Sequence, residues 1–372
     1  MASVTLANVS KFYGDVRATH DLSFRCDDGQ MLALLGPSGC GKTSTLKMIA
    51  GIEDVNSGEV YIGERLVNDL SPGQRNIAMV FEDYALYPNM SVFENIAFPL
   101  KLRKWPRQEI QKRIEPVLEL LGLQDQKGSD IRSLSGGAQQ RVSIGRALVR
   151  EPELIIFDEP LSHLDADQKV QLRTEIRRLQ KATGLTGILV THDQTEAVAM
   201  ADRVAVMNHG ELQQIAPPQS LYDHPANLFV ANFIGEPPMN LLPVRLEFES
   251  SCLRLAGSGW SVTPDPAVAD RIQSVARSKE LILGVRPELI RVSAGSGGYT
   301  DIQGTLAWQE YRGDTHVVTI ALADGSTEIV VESRQRLGLD IGATVGLEIT
   351  AEALNVFDAT SGRNLLSGTE GY

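Results

Sequence analysis

The feature that most constrains the fold is a glycine-rich loop between an apolar segment and a helix-favouring one. Residues 36–43 read Gly-Pro-Ser-Gly-Cys-Gly-Lys-Thr, a complete G-x-x-x-x-G-K-T pattern. The apolar run 31–35 before it predicts a buried strand, and residues 42–50 after it favour a helix. In this setting the glycines let backbone N–H groups turn toward an anion at the helix N-terminus. The pattern implies a site for a nucleoside triphosphate.

The residue types in this loop assign roles toward such a nucleotide. The Lys42 ammonium is expected to reach the outer phosphates, and the Thr43 hydroxyl is expected to bind Mg²⁺. The competing interpretation is a glycine-rich turn that carries a lysine by chance, and the flanking strand and helix argue against it. We expect ATP to be contacted by Gly36, Pro37, Ser38, Gly39, Cys40, Gly41, Lys42, Thr43 and Ser44.

Length, charge and cysteine content narrow the class of protein. The 372 residues suffice for two or three domains, and the net charge of −12 argues against a surface that coats nucleic acid. Cys26, Cys40 and Cys252 are widely spaced without a C-x-x-C metal pattern, which indicates a reducing compartment. The sequence shows neither a signal peptide nor an apolar run of spanning length. We therefore expect a cytoplasmic chain, or one that docks on a membrane-spanning partner.

The chain up to about residue 235 alternates between predicted strands and helices, as is typical of an α/β domain with a parallel sheet. Short continuous apolar runs predict strands buried on both faces at residues 77–81, 154–157 and 188–190. A helical insert is expected over about residues 84–150, with the clearest helical spacing within 105–145.

A long helix is predicted from residue 166 to residue 183. Its apolar stripe consists of Leu172, Ile176 and Leu179, and Gly184 supplies the stop. The arginines between these positions are interpreted as a solvated face: Arg173, Arg177 and Arg178.

After Pro237 and Pro238 the pattern changes to short apolar segments separated by turn-forming residues. Strands are predicted at residues 281–285, 317–320, 328–331 and 345–349. They indicate a separate all-β domain over residues 236–372, a small barrel or pair of barrels of the oligonucleotide/oligosaccharide-binding (OB) type. Its aromatic residues are either a stacking platform for a ligand or core and dimer-contact residues: Trp260, Trp308 and Tyr311.

Three further motifs accompany the phosphate loop. Residues 134–141 form a Gly-rich turn that opens a helix, with Ser135 as a hydroxyl donor to a second anion site. The apolar strand at 154–157 ends in Asp158 and Glu159, and the next apolar strand ends before His192. Acids and a histidine at the ends of parallel strands belong at the carboxyl edge of the sheet, beside the phosphate loop.

In order and spacing these motifs resemble those of ATP-binding-cassette (ABC) ATPases over residues 1–235. The resemblance implies a P-loop NTPase domain with a helical subdomain. Residues 284–288, Gly-Val-Arg-Pro-Glu, resemble a motif of the C-terminal barrel domain of maltose-type carbohydrate importer ATPases. In that family this OB-like domain has a regulatory and dimerising role, which the resemblance implies for residues 236–372.

The resemblance also implies a role for each motif residue. Tyr13 would stack on the adenine, and Asp158 would hold Mg²⁺ directly or through water. Glu159 would accept a proton from the attacking water, while His192 would hold the γ-phosphate and orient that water. For Tyr13 alone, the competing interpretation is a turn aromatic that covers the core.

In this family the signature faces the phosphate loop of a second chain. The resemblance therefore implies a head-to-tail dimer with two ATP molecules at the interface. Ser135, Gly136 and Gly137 of one subunit would contact the ATP bound by the other, and Asp165 would communicate across the interface. ATP should close such a dimer, and hydrolysis should open it.

One position departs from the family pattern. Glutamine is usual where Glu82 stands, in a loop that links catalysis to the membrane partner. Two unit charges about 5 Å apart at an effective dielectric of about 20 repel by roughly 3 kcal/mol, unless a metal ion offsets them. Glu82 is therefore a candidate metal ligand and catalytic residue. Its carboxylate would slow hydrolysis or tighten metal binding, and the alternative is that glutamate is an engineered change at this position.

The resemblance implies the ATP-hydrolysing subunit of an ABC importer for a sugar, polyol or sugar derivative, on the cytoplasmic face of the inner membrane. Two transmembrane permease subunits and an extracytoplasmic solute-binding protein would be its partners. Residues 84–90 and the helical insert would form the groove for a permease helix. The alternatives are an importer ATPase for an inorganic anion, ferric ion or polyamine and, more remotely, a soluble ABC ATPase that acts on nucleic acid or ribosomes.

Overall fold

The structure is a computed structural model that describes residues 2–249, 252–295, 302–349 and 354–367. The chain divides into two compact units, residues 1–218 and residues 219–371. In the described part of the chain, no helix combines the length and the apolar character needed to cross a membrane.

The first unit contains two sheets. Its strands are β1 (Val4–Tyr13), β2 (Val16–Cys26), β3 (Met31–Leu35), β4 (Ser57–Ile62), β5 (Arg65–Leu66), β6 (Ile77–Val80), β7 (Leu154–Asp158), β8 (Thr186–Thr191), β9 (Arg203–Asn208) and β10 (Glu211–Ala216). The smaller sheet is antiparallel with the order β2-β1-β4-β5. The larger sheet has the order β10-β9-β3-β8-β7-β6 and is parallel except for the β10–β9 pair. The three predicted buried strands are β6, β7 and β8.

The helices of this unit begin and end where local residues dictate. They are α1 (Lys42–Ala50), α2 (Val92–Leu102), α3 (Arg107–Leu120), α4 (Gly136–Leu148), α5 (Ala166–Thr183) and α6 (Gln194–Met200). Ser91 caps α2 in a capping box with Glu94, and Gly184 ends α5 in the left-handed region at φ 65°. The predicted helical insert thus contains α2, α3 and α4.

One apolar core joins the two sheets of the first unit. It takes Val4 and Leu6 from β1, Leu32 and Leu34 from β3, and Ile188 from β8. Every residue of β3 and of β8 is buried, as expected for strands covered on both faces. This rigid sheet positions the loops at its carboxyl edge.

The predicted stripe of α5 is buried, but its arginines do not form a uniformly solvated face. Arg177 is half-buried and donates to Asp202, with Nη1 3.0 Å from Oδ2, and Arg173 donates to Thr195 at 2.8 Å. The interpretation was wrong for Arg177, because its partner comes from a segment far along the chain, which the helix pattern alone does not place.

The second unit is a pair of five-stranded antiparallel sheets with one shared core. Its strands are β11 (Asn240–Glu249), β12 (Cys252–Ala256), β13 (Ser261–Val262), β14 (Glu280–Val285), β15 (Ile290–Ala294), β16 (Ile302–Tyr311), β17 (His316–Leu322), β18 (Glu328–Ser333), β19 (Thr344–Ile349) and β20 (Asn355–Asp358). The sheet orders are β13-β12-β11-β14-β20 and β15-β19-β16-β17-β18. Its helices are α7 (Pro218–Asp223), α8 (Leu228–Phe233) and α9 (Pro266–Val275).

This arrangement agrees with the predicted all-β OB-like fold. Trp260 lies in the shared core and so cannot belong to a surface stacking platform, whereas Trp308 and Tyr311 are exposed.

Residues 219–235 pack with the second unit, although the sequence places the domain boundary at 235 and 236. The cause is Arg286, only 2% exposed, which donates to the carbonyl oxygens of Tyr222 at 2.7 Å and Ala231 at 3.2 Å. Its guanidinium also stacks 3.9 Å from the centroid of the Tyr222 ring. Asn364 adds a bond to the Pro225 carbonyl at 2.8 Å. The arginine of the Gly-Val-Arg-Pro-Glu motif thus anchors α7 and α8.

Replacing Arg286 by methionine should lower the free energy of unfolding of the second unit by about 3 kcal/mol, because buried carbonyl groups lose their donors. Urea unfolding followed by the fluorescence of Trp260 and Trp308 measures the loss. The matched control is Arg277→Met, which removes an exposed arginine from the same unit. Equal unfolding midpoints for the two variants would contradict the anchoring role.

Candidate active site

The order of the larger sheet brings the predicted site residues to one edge. Strands β3, β8, β7 and β6 are successive parallel neighbours. Their carboxyl ends carry, in the same order, the loop 36–41, His192, the pair Asp158 and Glu159, and Glu82. Side chains separated by more than a hundred residues along the chain therefore face the same edge.

Two glycines of the phosphate loop, Gly36 and Gly41, lie where the surrounding backbone leaves no room for a side chain. Gly41 has φ 103°, and a Cβ there would lie 2.5 Å from the Ala18 carbonyl oxygen. A Cβ on Gly36 would lie 2.3 Å from the Met207 carbonyl oxygen. The Lys42 side chain is 6% exposed, and its ammonium donates back to the carbonyl oxygen of Gly36 at 2.7 Å. The loop geometry holds this cation at the start of α1.

The N-terminus of α1 differs from those of α2, α4, α5 and α6. Each of these four has a side-chain oxygen that accepts a bond from a first-turn amide, whereas Gly41 at the start of α1 has no side chain to offer. The first-turn amides of α1, the ammonium of Lys42 and the exposed hydroxyl of Thr43 together fit a polyphosphate with its cation.

Glu159 and His192 lie in direct contact. The His192 Nδ1 atom is 3.1 Å from Glu159 Oε2. Glu159 adopts φ 47°, an unfavourable conformation for a non-glycine residue, and its N–H donates to the Val190 carbonyl at 2.9 Å. This bond joins the residue that follows β7 to strand β8 and fixes the backbone at Glu159, whose carboxylate contacts His192.

The pKa of Asp158 is raised, chiefly by burial and then by the negative charges of Glu159 and Glu82, while Lys47 opposes the shift. Three carboxylates thus share this edge. The described residues form no ready-made group of three or more His, Cys, Asp or Glu side chains spaced to hold a metal. The charge of a divalent ion bound near these carboxylates would offset their repulsion.

Glu82 pairs with a residue to which the sequence analysis assigned no role. Its Oε1 lies 3.6 Å from Nε2 of His163, in the turn before α5. Both side chains are about half exposed, so the contact is solvent-screened. His163 could not be assigned from sequence because its partner follows a different strand.

Tyr13 ends β1 and exposes its ring, with 43% of the residue accessible. Its hydroxyl donates to the Glu53 carboxylate, and the Lys11 ammonium lies 5.2 Å from the ring centroid. The exposed ring is compatible with base stacking, and its burial is too low for a core-covering residue.

Ser135 lies at the start of α4, where its hydroxyl accepts a bond from the Ala138 amide at 3.4 Å. Asp165 caps α5 in the same way through Gln168, at 2.9 Å. Gly136 and Gly137 form the first turn of α4, and a Cβ on Gly137 would meet open space. Within the described ranges no bond joins Ser135 to the phosphate loop of its own chain.

No motif in the sequence indicates a role for Arg146 of α4. It donates to the Tyr84 carbonyl at 2.9 Å and lies 5.5 Å from the Tyr87 ring centroid. Tyr84 and Ala85 both adopt positive φ, 59° and 45°. Arg146 thus holds the loop after Glu82 in a strained conformation.

Comparison with known proteins shows the family to which the chain belongs. Residues 19–162 match the ABC transporter family model, residues 235–290 the MalK OB fold domain and residues 283–357 the TOBE domain. The chain is 43% identical to the trehalose/maltose import ATP-binding protein MalK of Thermococcus litoralis, over 98% of this chain and 99% of the relative. It belongs to the ABC transporter ATP-binding family.

Another relative of this ABC ATPase is the sn-glycerol-3-phosphate import ATP-binding protein UgpC of Ruegeria pomeroyi. It is 42% identical over 98% of this chain and 99% of its own length. Among solved structures, a dimeric bacterial ABC transporter cassette superposes with a TM-score of 0.51 at 30% identity, covering 57% of this chain and 98% of the cassette. CbiO1 of Clostridium perfringens gives a TM-score of 0.56 at 28% identity, covering 59% of this chain and 89% of CbiO1.

Replacing Glu82 by glutamine should lower the pKa of Asp158, because one of the charges that raises it is removed. Asp158 then stays ionised at lower pH, and the acidic limb of the pH–rate profile of ATP hydrolysis moves to lower pH. We expect this shift to be small, since Glu82 is half exposed and water screens its charge.

The matched control for this measurement is Asp83→Asn, which removes an adjacent exposed carboxylate that does not contribute to the Asp158 shift. An equal shift in both variants would show a general surface-charge effect, and no shift in Glu82→Gln would contradict the coupling to Asp158.

Proposed function

We propose that this ABC ATPase energises the import of a carbohydrate-type solute, a sugar, polyol or sugar derivative, through partner permease subunits. The observation that carries the catalytic part is the contact of Glu159 with His192 beside the phosphate-loop strand. The cargo is inferred from relatives that import trehalose or maltose and glycerol 3-phosphate and that match nearly the full chain.

The protein residues bind the nucleotide, orient the attacking water and accept one proton from it. The α1 amides and Lys42 hold the phosphates, and the exposed Tyr13 ring stacks on the adenine. Glu159 accepts a proton from the attacking water at its carboxylate. His192 contacts that carboxylate and so shares in the orientation of the water and the γ-phosphate. Positioning and charge neutralisation dominate this type of phosphoryl transfer.

Mg²⁺ would be held by Thr43 and Asp158, with Glu82 as a further candidate. The ion, when bound, neutralises negative charge on the phosphates. The raised pKa of Asp158 reflects a carboxylate that burial and its neighbours disfavour in the ionised form. A cation at this position relieves that penalty, which is why the donor set fits a divalent ion.

The proposed working unit is a head-to-tail dimer. Ser135, Gly136 and Gly137 would contact ATP held by the second subunit, and Asp165 would lie at the interface. Two features support this: Ser135 and Gly137 are accessible at the start of α4, and a related cassette forms a dimer.

A groove in the first unit is proposed to receive a permease helix. Its volume is about 370 Å³, and the apolar side chains along it include Ile52, Phe98 and Leu102. Tyr87 and Arg146 also line it, so the loop that carries Glu82 forms one wall. An apolar groove whose lining also includes two arginines, Arg146 and Arg150, suits an amphipathic helix. Docking here would place the chain peripherally, on the cytoplasmic face of the inner membrane.

The cargo is tested with the complete transporter, assembled from this chain, its permease subunits and the solute-binding protein that supplies them. Sugars or polyols should raise ATP hydrolysis several-fold above the basal rate, because solute delivery promotes dimer closure. Inorganic anions, ferric ion and polyamines serve as comparison solutes. Stimulation by one of these, with no response to any carbohydrate, would overturn the cargo assignment and leave the ATPase assignment intact.

Replacing Glu159 by glutamine should suppress ATP turnover by about 10²-fold or more while ATP binding stays near normal, because the amide keeps the shape of the side chain and loses the base. The variant should accumulate as an ATP-bound dimer in sedimentation experiments. The matched control is Glu153→Gln at the opposite end of β7, where a partly exposed carboxylate precedes the strand and lies 3.9 Å from Arg65. Near-normal hydrolysis by Glu159→Gln would remove this residue from its assigned role.

A further inference from the structure

Lys169 of helix α5 forms ion pairs with two carboxylates that follow His192 in the chain. Lys169 Nζ lies 3.8 Å from Asp193 Oδ2 and 3.5 Å from Glu196 Oε1. Asp193 follows His192 directly and caps α6 by accepting bonds from the amides of Thr195 and Glu196. The lysine thus contacts the start of α6 at two points.

Glu196 is a buried carboxylate, 3% exposed, and burial of such a charge is costly without partners. One oxygen accepts a bond from the Thr191 hydroxyl at 2.7 Å, and the other faces Lys169. The Thr191 hydroxyl oxygen in turn accepts a bond from the Asp193 amide at 3.0 Å. The residues on both sides of His192 are therefore tied to each other and, through Glu196, to Lys169.

The segment that leads into Lys169 also contacts the other two catalytic loops. The Ser162 hydroxyl donates to the Glu159 carbonyl at 3.0 Å, and His163 lies 3.6 Å from Glu82. Asp165 lies within this segment as the cap of α5. Residues 162–169 consequently join the ends of β6, β7 and β8.

We propose that Lys169 is a positioning residue for ATP hydrolysis. By binding Asp193 and Glu196 it fixes the backbone of residues 191–193 and holds the His192 imidazole against Glu159. It also makes the position of His192 depend on the segment that contains Asp165. The inference rests on the proposed function of His192, and it concerns no contact between Lys169 and the nucleotide.

The first test compares Lys169→Gln with Lys169→Arg in the full-length chain. Lys169→Gln should lower kcat for ATP about tenfold or more with KM changed less than about twofold, because misplacement of a catalytic group is costly while binding groups are untouched. Lys169→Arg should restore most of kcat, since it keeps the charge. The control is Lys181→Gln on the same helix, which breaks a 2.9 Å ion pair with Asp202 and should leave kcat unchanged.

The second readout reports the position of His192 without turnover. Histidine-selective ¹⁵N labelling of the nucleotide-free chain gives imidazole signals for six histidines, and His192→Ala identifies the relevant one. Lys169→Gln should shift or broaden that signal, and Lys181→Gln should not. Thermal unfolding of each variant separates this from a general loss of stability.

The outcomes separate a positioning role of Lys169 from a merely structural one. A lower unfolding temperature with unchanged kcat and an unchanged His192 signal would make Lys169 merely structural and overturn the proposal. A fall in kcat without a change at His192 would overturn it as well. If His192→Ala itself hydrolyses ATP normally, the proposed function of His192 fails, whatever Lys169 does to the imidazole signal.

Discussion

The parallel pairing of β3, β8, β7 and β6 is the constraint on which the rest of the site depends. Each strand is short and apolar, and β3 and β8 are buried along their whole length, so the sheet cannot slip without exposing its core. Because all four strands run in the same direction, their following loops converge on one edge. The phosphate loop, the acidic pair, the histidine and Glu82 are neighbours for that reason alone.

Two features of this edge, the buried charge of Asp158 and the backbone conformation of Glu159, are unfavourable for stability. Burial and two nearby carboxylates raise the pKa of Asp158, and Glu159 is held at a positive φ by its bond to Val190. Both features cost free energy in the isolated chain. A magnesium nucleotide would offset the first cost, which couples ligand binding to the stability of this edge. Groups held ready for a ligand often have such unfavourable environments without it.

The loop after β6 connects chemistry to the proposed docking groove. Glu82 faces the catalytic edge, and Tyr87, five positions on, lines the groove. Tyr84 lies between these two residues in the chain, and Arg146 donates a hydrogen bond to its carbonyl oxygen. A permease helix that moves Tyr87 would therefore act on the backbone next to Glu82. The segment 162–169 forms a comparable connection on the other side of Glu159, through Ser162, His163 and Lys169.

The sequence alone determined the features that depend on neighbours along the chain. The phosphate loop with β3 before it and α1 after it, the buried strands, and α5 with its stop at Gly184 were all predicted, because periodicity, glycine and capping signals are local. Only the tertiary structure decided which distant side chains meet. Glu82 with His163, Lys169 with Glu196, and Arg177 with Asp202 depend on strand order, and Arg286 assigns residues 219–235 to the second unit by reaching their carbonyl groups. No spacing rule encodes such contacts, since they arise only once the sheets have formed.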